Sequence, residues 1–173
     1  NPHLPITLAI TNNYSHRSQS VNYTNTRNWK VGLRLFIKEM KILTSEYSPY
    51  QDLKVLLHLD HIQHDIDQEL LTWDMGQFSS IMYDASNLNL DENIKLTRKF
   101  VERCGNEIVI EGACDEIRDF GSGGNELTTA DNAERYIQQT GCDFIVANLG
   151  TEHRANALEL HYFGDRAREI KVR

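Results

Sequence analysis

"VLLHLDHIQHD", Val55 to Asp65, is the stretch on which the fold turns. It opens as an apolar run and packs three histidines and two aspartates into eleven residues. A short run of this kind, rich in branched side chains and closing on polar ones, reads as a buried strand with chemistry at its C-terminal end. Side chains two apart on a strand share a face, so His58 and Asp60 point one way, Leu59 points the other, and His61 falls where strand gives way to loop. A neutral imidazole is a good zinc ligand, and a neighbouring carboxylate moves protons without holding the metal. Taken alone, the same residues more often form a polar strand end that caps a helix or pairs internally. His58 reads as an inward-facing support and His64 as a first-turn surface residue.

Similar runs recur outward from this one: "ITLAI" at 6–10, "SIMYDAS" at 80–86, "IVIEG" at 108–112 and "FIVANLG" at 144–150. They are β-rich and nearly continuous, which predicts parallel strands buried on both faces. Helical spacing fills the gaps. Val31, Leu33, Leu35, Phe36 and Met40 predict a helix over 28–43, and Ile94, Leu96, Phe100 and Val101 one over 90–104. "TTADNAERYIQQTG" predicts a third, with Thr129 as N-cap and Gly141 as the left-handed residue that ends it. The segment 11–27 is rich in Asn, Ser and Thr and reads as a surface loop over the functional face, either a mobile lid or an insertion.

A strand–helix series of this kind builds either an open doubly wound sheet or a (β/α)8 barrel. No GxGxxG turn follows the first strand. Polar residues instead cluster at the C-terminal ends of several strands: Asp60 and His61, Asp84 and Ser86, Glu111, and Thr151 to His153. Barrel active sites are assembled at that end, so the expected class is α/β, a (β/α)8 TIM barrel. A complete barrel takes eight strands and roughly 250 residues. About five β/α units are legible here, and residues 1–173 are expected to be a single, partial barrel domain belonging to a longer protein.

Bulk composition narrows the function classes. The chain has 173 residues, 40% of them hydrophobic, and a formal net charge of −7, which offers no basic field for nucleic acid or anionic membrane. Cys104, Cys114 and Cys142 are odd in number and lack CxxC spacing, so neither a disulfide framework nor a zinc ribbon is expected, and a reducing, cytoplasmic setting fits. No run of 18 apolar residues is present.

With the strand ends in hand, the chain resembles the class II, zinc-dependent fructose- and tagatose-bisphosphate aldolases. That family has a strand ending "LHLDH", a next strand "MIDGS" followed by "ENI", a helix introduced by "TDPEEA", a "TGVD" turn and a strand ending "IGTAHG". Here the text is "LHLDH", "MYDASNLNLDENI", "TTADNAERYIQQTGCD" and "LGTEHR", in the same order, across roughly Pro5 to Arg173. The resemblance implies a lyase of carbohydrate metabolism and glycolysis, cleaving a phosphorylated ketose to dihydroxyacetone phosphate and an aldehyde. It implies Asp60 as the acid/base at the C4 hydroxyl and His61 and His153 as zinc ligands, with a third histidine beyond Arg173. Asp84 and Glu111 match acidic positions that hold the metal in an alternative place, and Ser86 matches a hydroxyl beside them. The implied cofactors are zinc and a monovalent cation; the implied partners are a sugar phosphate and a second copy of the chain, in a homodimer or larger.

Four features depart from that pattern. Ala113 replaces the second glutamate of "VEAELG", Ala85 replaces the glycine of "MIDGS", and Arg154 replaces the glycine after the second zinc histidine. The glycine-rich loop, here "GSGGNE" at 121–126, is displaced by an extra stretch, "DEIRDF". Arg154 either clashes with the family's phosphate pose or binds an anion itself as a bidentate donor. Gly121, Gly123 and Gly124 form either a loop closing over substrate or a plain surface turn. Together the departures also fit a catalytically inactive, aldolase-like protein that binds a sugar phosphate or a partner subunit. Trp29, Trp73 and Phe78 read as packing residues, and Tyr162 and Phe163 as packing for the last helix.

Overall fold

The structure, a computed structural model, describes residues 4–14, 17–121, 126–156, 158 and 161–171. In chain order the elements are β1 (Ile6–Thr11), α1 (Gln19–Asn22), α2 (Trp29–Leu43), β2 (Val55–Gln63), β3 (Ser80–Asp84), α3 (Leu90–Cys104), β4 (Val109–Ala113), α4 (Ala130–Thr140), β5 (Phe144–Val146) and α5 (Gly164–Lys171). The strands lie in the order β1-β2-β3-β4-β5. A doubly wound sheet reverses direction at a switch point, whereas a barrel adds each strand beside the last. The sequential order is therefore that of consecutive barrel strands. By compactness the chain divides into two units, Asn1–Tyr83 with Asn106–Val109, and Asp84–Gly105 with Ile110–Arg173.

In the first unit β1 and β2 pair in parallel, from Ile6 opposite Val55 to Thr11 opposite Asp60. The α2 helix starts where Asn28 accepts the amides of Lys30 and Val31, which satisfies two donors that have no partner inside the helix. Its buried stripe is Gly32, Leu33, Phe36 and Ile37. The 11–27 segment is more structured than a surface loop: it contains α1, and Thr11, Asn12 and Ser20 are buried. The link between β2 and β3 carries only two three-residue 3-10 turns, Leu70–Thr72 and Met75–Gln77, whose Leu70, Leu71 and Met75 are buried. A cleft of about 620 Å³ lies between these turns and α2, lined by Arg34, Leu35, Lys38 and Trp73 among others. No residue singled out for catalysis or metal binding lines it. Trp29 and Trp73 pack on each other with ring centroids 4.8 Å apart, and Phe78 is buried, as expected of packing residues.

In the second unit α3 begins at Asn89, whose side chain accepts the Glu92 amide at 3.1 Å, and carries Asp91 and Glu92 in its first turn and Arg103 in its last. That charge order suits the helix dipole. Thr129 caps α4 by accepting the Asn132 amide at 3.1 Å, and Gly141 ends it at φ 72, both as read from the sequence. Between the two helices sits a polar core. Asn93, on α3, donates to the carbonyls of Ala113 (2.8 Å) and Cys114 (3.1 Å), and Thr97 lies 3.0 Å from both Asn93 Oδ1 and the Tyr136 hydroxyl. Burial pushes the Tyr136 phenol well above its ordinary range, while the hydrogen bond with Thr97 works in the opposite direction. Gly112 leaves room for that ring: a Cβ there would lie 2.7 Å from the Tyr136 hydroxyl. β4 and β5 pair in parallel, Glu111 opposite Phe144 to Ala113 opposite Val146.

The expected two-sided burial holds for β3, where Ile81, Met82, Tyr83 and Asp84 are all buried. Elsewhere it does not: Ile6, Leu56 and Phe144 are 40%, 41% and 61% exposed. Continuous apolar runs show that a strand is built for two packed layers. Among the described residues, only one layer covers these positions. Tyr162 and Phe163 are likewise exposed, although Phe163 lies against Gly150.

Candidate functional site

Asp60 and His61 lie inside β2 rather than at its end, because the strand continues to Gln63. His61 has φ 49, in the left-handed region that non-glycine residues rarely enter. A left-handed residue inside a strand interrupts the two-residue alternation of faces. Burial follows the break: Leu59 and Ile62, three apart, are both 0% exposed, while Asp60 and His61 between them are both half-buried. Two consecutive half-buried polar residues thus stand between two fully buried apolar ones, which strict alternation along a strand does not give. His58 is braced as anticipated, with Nδ1 2.8 Å from the Ser80 hydroxyl.

Two neighbours of this pair were not legible in the sequence. Tyr14 stacks on the His61 imidazole, centroids 4.1 Å apart and planes 17° from parallel, with the Arg17 guanidinium 6.0 Å from the Tyr14 ring centre. Tyr14, in the 11–27 segment, thus packs directly on His61. Asp67 is 2% exposed and accepts the side-chain amides of Asn12 (2.7 Å) and Asn13 (3.0 Å) and the backbone amide of Gln63 (3.0 Å). One buried carboxylate thereby ties the end of β1 to the end of β2, two residues past His61. Asn12 in turn accepts from Ser20 of α1. Contacts spanning 55 residues leave no local sequence signal.

In the second unit Asp84 closes β3, and its Oδ1 accepts both the Ser86 amide (3.0 Å) and the Ser86 hydroxyl (2.7 Å). Glu111 lies on β4, half-buried. His153 and Arg154 lie against the extra stretch: Asp119 and His153 form a parallel bridge, and Arg154 is ion-paired with Asp119. Arg154 has φ 64, so the backbone there keeps the conformation that suits the glycine of the family pattern. Gly123 and Gly124 of the anticipated glycine-rich loop lie outside the described residues; Gly121 is described and has φ 79. Six of the sequence-predicted residues thus fall in three places, Asp60 with His61, Asp84 with Ser86, and His153 with Arg154, while Glu111 stands by itself on β4.

The imidazoles of His61 and His153 have the right donor chemistry for zinc. Among the described residues, however, no three His, Cys, Asp or Glu side chains stand together as a metal site. The described part of the chain does not by itself complete a zinc centre. Among those residues, too, no helix is long and apolar enough to cross a membrane.

The fold defines the class first. Similar solved structures include a fructose-bisphosphate aldolase of Campylobacter jejuni (TM-score 0.68, 18% identity, covering 99% of this chain and 52% of that one). The YdjI aldolase of Escherichia coli K12 gives TM-score 0.65 at 19% identity, over 99% of this chain and 55% of that one. At such identities the likeness establishes the fold, a partial α/β barrel. A family profile described as fructose-bisphosphate aldolase class-II matches residues 5–170, and the chain belongs to that family. Relatives include the fructose-bisphosphate aldolase of Giardia intestinalis, 29% identical over 66% of this chain and 36% of its own length. The 6-phospho-5-dehydro-2-deoxy-D-gluconate aldolase of Bacillus licheniformis is 34% identical over 57% of this chain and 35% of its own. The chain thus spans about a third of the curated relatives it matches.

Proposed function

We propose that the chain is part of a metal-dependent ketose-bisphosphate aldolase that reversibly cleaves a phosphorylated ketose, such as fructose 1,6-bisphosphate, to dihydroxyacetone phosphate and an aldehyde. The observation that carries this reading is the left-handed, half-buried His61 directly after the half-buried Asp60 within β2. Family membership supports the same chemistry. On this reading 1–173 is one partial barrel domain of a longer, homo-oligomeric, cytoplasmic enzyme of glycolysis or related sugar metabolism.

In the proposed mechanism Asp60, half-buried and so within reach of solvent, takes the proton of the substrate's C4 hydroxyl during cleavage and returns it during condensation. Tyr14, packed on the imidazole, fixes the ring plane of His61. Ser86 is oriented by Asp84 and offers a hydroxyl to the substrate. His61 and His153 are proposed as two zinc ligands, the third donor coming from outside these 173 residues, and Asp84 and Glu111 as alternative positions for the metal. Bound zinc would supply Lewis-acid polarisation of the ketose carbonyl.

The test uses the full-length protein. Purified enzyme is expected to contain zinc and to cleave fructose 1,6-bisphosphate, and Asp60→Ala to lower the turnover by about a hundredfold or more, the usual contribution of a general acid–base group. Absence of zinc, or equal rates in the two proteins, would refute the assignment. A second reading, a silent aldolase-like binding protein, is favoured by one observation: Arg154 occupies the glycine position and is already engaged by Asp119. Zinc-free protein that binds but does not cleave the bisphosphate would establish it.

A further inference from the structure

Two departures from the family pattern, the extra stretch 115–120 and Arg154, meet in the structure. Asn148 Nδ2 donates to the Glu116 carbonyl at 3.0 Å, and Arg118 Nε to the Glu116 carboxylate at 2.9 Å. The His153 amide donates to the Arg118 carbonyl, and the Phe120 amide to the His153 carbonyl, both at 2.9 Å. The stretch is thereby laid beside the 148–154 segment that follows β5, joined to it by an isolated parallel bridge. A side-chain clasp closes it: Arg154 Nε reaches Asp119 Oδ1 at 3.3 Å, and Nη2 pairs with Oδ2.

Exposure of 56% for Arg154 and 40% for Asp119 makes the pair a weak contributor to stability. Its consequence is geometric. The Nε and Nη2 edge of a guanidinium is the edge that grips a phosphate or carboxylate with two parallel bonds. Asp119 occupies that edge. The left-handed backbone at Arg154 sets the direction of its side chain, and the bonds on either side of His153 hold that backbone in place.

We propose that Asp119 is a specificity-determining residue: it engages Arg154 and so withholds a ready-made anion grip from the segment after β5 that carries His153. This rests on the proposed function only in placing that segment beside the substrate. The pairing of Asp119 with Arg154 stands without it. A ligand whose terminus there is an uncharged hydroxyl or carbonyl group is tolerated, whereas a phosphate or carboxylate has to compete with Asp119.

The experiment titrates inorganic phosphate by calorimetry into the full-length protein and its Asp119→Ala, Arg154→Gly and double variants. Asp119→Ala is expected to tighten phosphate binding by about two- to fivefold, the scale of an exposed ion pair, and the double variant to lose that gain. Asp119→Glu, which restores a carboxylate, is expected to return binding toward the wild-type level. Hydrogen exchange at the Phe120 and His153 amides is expected to accelerate in Asp119→Ala. Unchanged phosphate affinity in Asp119→Ala, a gain that persists in the double variant, or unchanged exchange would overturn the proposal. Phosphate titration needs no turnover, so a protein that fails to cleave ketoses still tests the role of Asp119.

Discussion

Asn93→Ala is the most discriminating perturbation of the second unit. Asn93 is 0% exposed, and its side-chain amide donates to two carbonyls, Ala113 at 2.8 Å and Cys114 at 3.1 Å, just beyond Glu111. Truncation leaves both carbonyls without that donor. A buried polar group left unpaired costs about 1–3 kcal/mol, so the two together cost about 2–6 kcal/mol before any cavity term. Thr97 and Tyr136 lose Asn93 Oδ1 but keep each other at 3.0 Å, and add little. Tyr136→Phe removes one hydroxyl while the Thr97 to Asn93 bond survives, and is expected to cost about 1 kcal/mol. Against a typical total of about 5–15 kcal/mol, the first change is severe and the second mild. Urea unfolding followed by far-ultraviolet circular dichroism measures both. A cost for Asn93→Ala below about 0.5 kcal/mol, or a Tyr136→Phe protein less stable than Asn93→Ala, would refute this account of the polar core.

Gly112→Ala is expected to destabilise by about 1–3 kcal/mol, because its methyl would meet the Tyr136 ring and hydroxyl at 2.7–2.8 Å; pairing it with Tyr136→Leu should recover part of the loss in the same unfolding assay. Asp67→Ala strands three donors, two side-chain amides and the Gln63 amide; proteolysis should then cut the 11–27 segment faster, with stability down by about 3 kcal/mol or more. All three cysteines are buried, and burial raises the Cys114 and Cys142 thiols above the ordinary 9.0, so a thiol reagent at pH 8 should label native protein slowly and denatured protein fully. The folded chain then holds protons that the unfolded chain releases, so this contribution to stability is complete below pH 9.0 and is lost as the pH rises beyond it.

The local part of this protein was legible in its sequence. Thr129 and Gly141 bound α4 because caps act within a few residues of themselves, and the helix over 90–104 follows from apolar spacing alone. The barrel reading over the doubly wound one came from where polar residues stand on the strands, and the sequential strand order bears it out. Asp60 and His61 were identifiable as a pair, but the interruption of strand alternation at His61 was not: a left-handed residue inside β2 leaves no mark in composition.

Tertiary structure alone decided how the conspicuous residues are held. Asp67, unremarkable in sequence, became the buried tie between β1 and β2 because Asn12 and Asn13 reach it from more than 50 residues away. Arg154 and the added stretch were two separate oddities until the bond between Arg154 and Asp119, 35 residues apart, made them one. Periodicity and capping are written in neighbouring residues, since each is satisfied within a turn or two of chain. Which buried carboxylate meets which amide, and which cation is already engaged, depends on contacts that exist only after the chain has closed on itself.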